Sequence, residues 1–133
     1  MRTGIVVLSA VASLIAGSSG ARAETFACPA QVESDTTSGG LPQSFKFRYV
    51  SFFDGDPADL VDLAPDDGPD AKKLEQRWEF TRTPGRPIVM ICRYHGTDMT
   101  VRRDVPLEIE ECRLDGLMND KGEVQGSPTL TCK

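Results

Sequence analysis

Residues 45–53 read FKFRYVSFF, and their parity decides the fold class. Phe45, Phe47 and Tyr49 alternate with Lys46 and Arg48, a period of two that sets every second side chain on one face of a strand. Aromatic and β-branched side chains suit such a half-buried pleated surface. From Val50 the parity slips, because Val50 and Phe52 are apolar on the other face. That slip predicts a bulge, or burial of both faces.

The pattern recurs on either side. In Lys73 to Thr81, Leu74, Trp78 and Phe80 stand opposite Glu75, Arg77 and Glu79. Ile88 to Tyr94 is apolar on both faces, which predicts a central strand. His95-Gly96-Thr97-Asp98 is a hairpin turn signal. Met99, Val101 and Val105 then alternate with Thr100, Arg102 and Asp104 until Pro106 interrupts. Leu107 to Leu114 and Pro128 to Cys132 are further strand candidates, and Thr25 to Val32 is an upstream one interrupted by Pro29. Ser34 to Ser44 and Ala64 to Ala71 read as loops on their Gly, Pro and polar content.

Between them, Asp54-Gly55 marks a turn. Asp56 then fits an N-cap, Pro57 the first helical position and Asp59 the third, predicting one or two helical turns before Pro65. The fold class that follows is all-β with one short helix: a small antiparallel meander, barrel or sandwich.

The N-terminus carries export information. Arg2 precedes an apolar run from Ile5 to Ala16; Gly17 to Gly20 break it, and Ala21-Arg22-Ala23 has the small-x-small form that signal peptidase reads. Residues 1–23 are thus expected to be a signal peptide and 24–133 a single β-rich domain, periplasmic or secreted. The apolar run is shorter than the ~20 residues a membrane helix needs, so no span is expected after cleavage. Of the 133 residues, 26% are charged and 39% hydrophobic, with a formal charge of −5, which becomes −7 once Arg2 and Arg22 are removed. An acidic balance of this kind argues against a nucleic-acid footprint and favours a cationic periplasmic or envelope protein as partner.

Cys28, Cys92, Cys112 and Cys132 all follow the cleavage site. An even count in an exported chain predicts two disulfides, with three connectivities open. The preferred pairing is Cys28 with Cys92 and Cys112 with Cys132, the second closing a hairpin through Asp115 to Pro128. Zinc spacing is missing: no C-x-x-C occurs, and His95 is the only histidine.

Chemistry-bearing groups are few. Asp54 to Asp70 holds seven aspartates and no basic residue, whereas Lys72 to Arg103 holds eight basic ones. Clustered carboxylates suit calcium or a small hydrolase, but the D-x-D-x-D-G order of an EF-hand is absent, and turn and capping roles account for Asp54, Asp56 and Asp59. No G-x-S-x-G accompanies His95. No catalytic residue, cofactor or metal ligand is therefore assigned, and a binding or inhibitory module is the preferred class. Loops on rigid scaffolds carry contacts, which nominates Asp54, Asp56, Asp59, Asp66 and Asp67 on the acidic stretch, with His95 and Asp98 on the turn.

Three stretches carry a resemblance: Cys28-Pro29, VSFFDGDPADLVDLAPD at Val50 to Asp66, and the span from Trp78 to Cys112 that includes PIVMICRYHGTDMTVRRDVPLEIEEC. Together they resemble a small family of exported proteobacterial proteins without an assigned activity, which implies a periplasmic or secreted β-rich domain with paired cysteines. A second, fainter likeness is to periplasmic inhibitors of C-type lysozyme, whose site motif has no counterpart here. A toxin-immunity role is the further alternative within the binding class.

Overall fold

Eight strands are formed among the described residues, and the central pairing of each sheet joins strands far apart in sequence. The computed structural model describes residues 25–34 and 40–133. The expected signal peptide and the middle of the Ser34 to Ser44 loop lie outside the described residues. The strands are β1 (Gln31–Ser34), β2 (Gln43–Asp54), β3 (Asp66–Asp67), β4 (Lys73–Glu79), β5 (Ile88–Tyr94), β6 (Thr100–Asp104), β7 (Glu111–Met118) and β8 (Val124–Cys132). They form two four-stranded sheets, ordered β1-β2-β5-β6 and β3-β4-β7-β8, with every pairing antiparallel. The expected all-β antiparallel class is what the chain adopts. The chain is interleaved, however: after β2 it crosses to build β3 and β4, then returns as β5 to pair with β2, and β4 later takes β7 as its partner.

The inner faces of the two sheets share one core. Phe47, Val50, Phe52, Ile88, Met90 and Cys92 from the first sheet meet Leu74, Trp78, Cys112 and Leu114 from the second. The Phe52 ring lies 4.9 Å from Trp78 and 5.1 Å from Phe80, within the range of favourable aromatic pairs. The parity slip read at Val50 has a local cause: β2 changes register against β5 between Phe47 and Tyr49, leaving Arg48 as the extra residue. With that bulge Phe47, Val50 and Phe52 all turn inward. Phe53 goes to the opposite face, where it forms a second buried cluster with Val89 and Ile91. Burial on both faces fits the apolar run of β5 and its place between two neighbours.

Two disulfides tie the architecture. Cys28 is joined to Cys92, anchoring the N-terminal segment to central strand β5. Cys112 is joined to Cys132, its directly opposed partner across β7 and β8. No free cysteine remains.

Several expected boundaries shift, each for a physical reason. The first strand begins at Gln31 rather than Thr25, because the Cys28–Cys92 bond and Pro29 hold residues 25–30 outside the sheet. The expected helix is a single 3-10 turn, Pro57–Asp59, with Asp56 as N-cap as read. β7 starts at Glu111 rather than Leu107, since the chain from Val105 to Ile109 bends around Arg82, which donates to the carbonyls of Pro106 at 2.7 Å and Ile109 at 2.8 Å. β8 starts four residues before Pro128, so the closing hairpin is tight, with Asn119 Oδ1 accepting from the N–H groups of Lys121 and Glu123. Gly116 allows this strand to pass closely: a Cβ there would stand 3.0 Å from Pro128. Among the described residues no helix is long and apolar enough to cross a membrane.

Candidate functional site

The acidic stretch forms the crossing from β2 to β4, so its aspartates are distributed between the two sheets. At the end of β2, Asp54 Oδ1 lies 3.3 Å from Arg86 Nε, and Arg86 also donates to the Asp54 carbonyl at 2.8 Å. Gly55, at φ +87°, makes this clamp possible, because a Cβ would press on the Arg86 guanidinium at 2.8 Å. Asp56 accepts from Ala58 N at 3.0 Å and reaches Arg102 of edge strand β6 at 3.8 Å. Asp59 is exposed at the turn, and Leu60 follows it in the left-handed region, φ 58°, with its side chain 80% exposed.

The crossing then re-enters ordered pairing. Asp62 bridges to Phe53, Leu63 O accepts from Trp78 Nε1, and Asp66 and Asp67 become β3, opposite Arg77 and Gln76 of β4. Asp67 accepts from Gln76 Nε2 at 3.1 Å, and Gln76 Oε1 accepts from the Tyr49 hydroxyl at 2.6 Å. Burial pushes the Tyr49 phenol above its ordinary value, helped by the charges of Asp67 and Asp62 and opposed by the Gln76 bond.

His95 and Asp98 sit on the separate turn between β5 and β6. The His95 Nε2 is 2.7 Å from the Gly126 carbonyl of β8, so the ring stitches the two sheets at one seam. Asp98 is exposed. Asp54, Asp56 and Asp59 thus share one end of the first sheet, Asp66 and Asp67 border the second, and His95 with Asp98 forms a third locus. Among the described residues, no three His, Cys, Asp or Glu side chains are gathered to hold a metal ion.

The outer face of the second sheet was not singled out by sequence reasoning. In the β4–β7 register Glu79 faces Glu111, Arg77 faces Arg113, Glu75 faces Asp115 and Lys73 faces Leu117. Directly opposed residues lie on the same face, so three successive rows carry like charges. The face is banded: acidic, basic, acidic, then Lys73 beside Leu117, an apolar side chain 59% exposed. Contacts between rows compensate in part. Arg77 donates to Glu79 and, at 3.0 Å, to Glu111 Oε2; Arg113 stands 3.6 Å from Asp115, and Lys133 3.1 Å from Glu111. Hydrogen bonding by Lys133 and then Arg77 holds the Glu111 carboxyl below its ordinary value, and the Arg77 guanidinium is raised chiefly by its bond to Glu111. A shallow concavity of about 500 Å³ opens between these bands and β3, lined by Asp66, Gly68, Arg77, Arg113 and Lys133 among others. Period-two charge alternation within β4 and β7 was visible in sequence, but only the register sets like against like.

The family model of the type VI secretion system Tli immunity protein matches residues 42–133. The chain belongs to that family. The Tli match starts one residue ahead of β2 and ends at Lys133, so it covers β2 to β8, the whole of the second sheet and the banded face, and leaves out β1. The resemblance stretches at Val50 to Asp66 and Trp78 to Cys112 fall inside the Tli span, whereas Cys28-Pro29 precedes it. No curated protein and no solved structure matches the chain.

Proposed function

We propose that this protein is an exported immunity protein that neutralises a toxin delivered by type VI secretion, binding it without chemistry of its own. The observation carrying this reading is membership of the Tli immunity family over residues 42–133. It favours the toxin-immunity role over the lysozyme-inhibitor one. Two features of the molecule support it. A scaffold held by two disulfides, with its one histidine bonded to a backbone carbonyl, suits a rigid binder better than a catalyst. The exposed carboxylates Asp59, Asp66, Asp67 and Asp98 suit a partner with cationic groups. Residues 1–23 act as the export signal in this reading, bringing the chain to the periplasm, where disulfides form.

The test requires a type VI toxin gene from the same genome, its product directed to the periplasm of a sensitive strain. Cells also producing the full chain survive, and cells producing it without residues 1–23 die. Death in both cases would sink the reading, and survival in both would remove its periplasmic element.

A further inference from the structure

We propose that the outer face of the β3-β4-β7-β8 sheet is the surface that seats the toxin. The matching toxin surface carries a band of carboxylates between two bands of basic side chains. This deepens the immunity reading and rests on it. The starting observation is the register: Glu75 with Asp115, Arg77 with Arg113, and Glu79 with Glu111 are directly opposed.

Like charges facing each other across a sheet are destabilising, and opposite charges stabilise it. A face shaped for stability alone would swap a single member of each pair. Contacts to neighbouring rows relieve the repulsion without removing it, since Arg113 finds Asp115 only at 3.6 Å. The side chains of Arg77 and Arg113 are 48% and 56% exposed, so both are accessible to incoming carboxylates, with which planar forks pair well.

Successive rows lie ~7 Å apart along the strands, which sets the repeat a partner must match. Banding also gives specificity, because a partner shifted by one row meets like charge. Leu117 adds an apolar contact at the end of the face, and the concavity beside β3 admits a protruding side chain. A second copy of this chain, shifted by one row, is the competing occupant.

Arg113→Glu tests the assignment, because it breaks the basic band: a carboxylate then stands opposite Arg77, at the cost of the Arg113–Asp115 pair and beside Glu111 and Asp115. Lys121→Glu, at the tip of the β7–β8 hairpin, makes the same change in net charge away from the face. Both are compared with wild type by titration calorimetry against the purified toxin at low and high salt, by thermal melting and by sedimentation. Arg113→Glu is expected to stay folded at the titration temperature with a modestly lower melting point, because the new carboxylate stands between Glu111 and Asp115, and to bind the toxin at least about tenfold more weakly and with less salt dependence. Lys121→Glu is expected to bind as wild type does. Wild-type affinity in Arg113→Glu, equal weakening in both variants, or an effect confined to self-association would overturn the proposal alone. Absence of toxin binding by the wild type would overturn the immunity reading together with it.

Discussion

Trp78 Nε1 donates to the Leu63 carbonyl at 2.9 Å, fastening the crossing between the sheets to the strand that faces it. The indole is 3% exposed and packs on Phe52. Trp78→Phe keeps an aromatic ring but leaves that carbonyl without its donor and the core with a void. A loss of about 1–3 kcal/mol is expected from urea denaturation. An unchanged midpoint would mean that the bond does not anchor the crossing.

The two disulfides close loops of unequal length, with sequence separations of 64 and 20. Under the chain-entropy account, losing Cys28–Cys92 costs about 4 kcal/mol and losing Cys112–Cys132 about 3 kcal/mol. Paired alanine replacements, compared by denaturant midpoint, check both the order and the size. A larger loss at the shorter loop would show that native-state packing around Cys112, rather than the unfolded chain, controls the effect.

Leu60 adopts φ 58°, in the region where a Cβ is unfavourable, directly after the 3-10 turn. Glycine is the usual occupant of such a position. Leu60→Gly relieves strain of about 1–2 kcal/mol but adds flexibility to the unfolded chain, for a net gain of up to about 1 kcal/mol. A lower melting temperature in Leu60→Gly would show that the exposed leucine makes contacts that offset its strain.

Glu111 titrates below its ordinary value of 4.5 in the folded chain because Lys133 and Arg77 favour its charged form. Its stabilisation is therefore complete above the unfolded value and disappears as pH falls through the folded one. Melting temperature should drop in the acid range below about pH 5 for wild type, and more shallowly for Glu111→Gln. Parallel acid profiles would remove Glu111 from the groups that control the transition.

Much of the local structure is legible from residue type. Alternation located β2, β4 and β6, an unbroken apolar run located β5, Asp56 announced its cap, and the slip at Val50 pointed to a bulge that the structure places at Arg48. Tertiary events hid the rest. Asp66 and Asp67 have loop composition and become a strand only because β4 lies beside them. Leu107 to Glu110 has apolar spacing but is drawn into a bend by Arg82. The banded face was out of reach for a similar reason: the charges of Arg77 and Arg113 are plain in sequence, but their opposition depends on which strands pair and in what register.

The alternating course of the chain between sheets affects how the molecule comes into being. A cut after β4 would leave β2 without β5 and β4 without β7, so neither half contains the partners it needs. Assembly must await contacts between distant segments, which places refolding in the milliseconds-to-seconds range rather than among the fast local folders. Split fragments should remain inert apart and regain structure only when mixed.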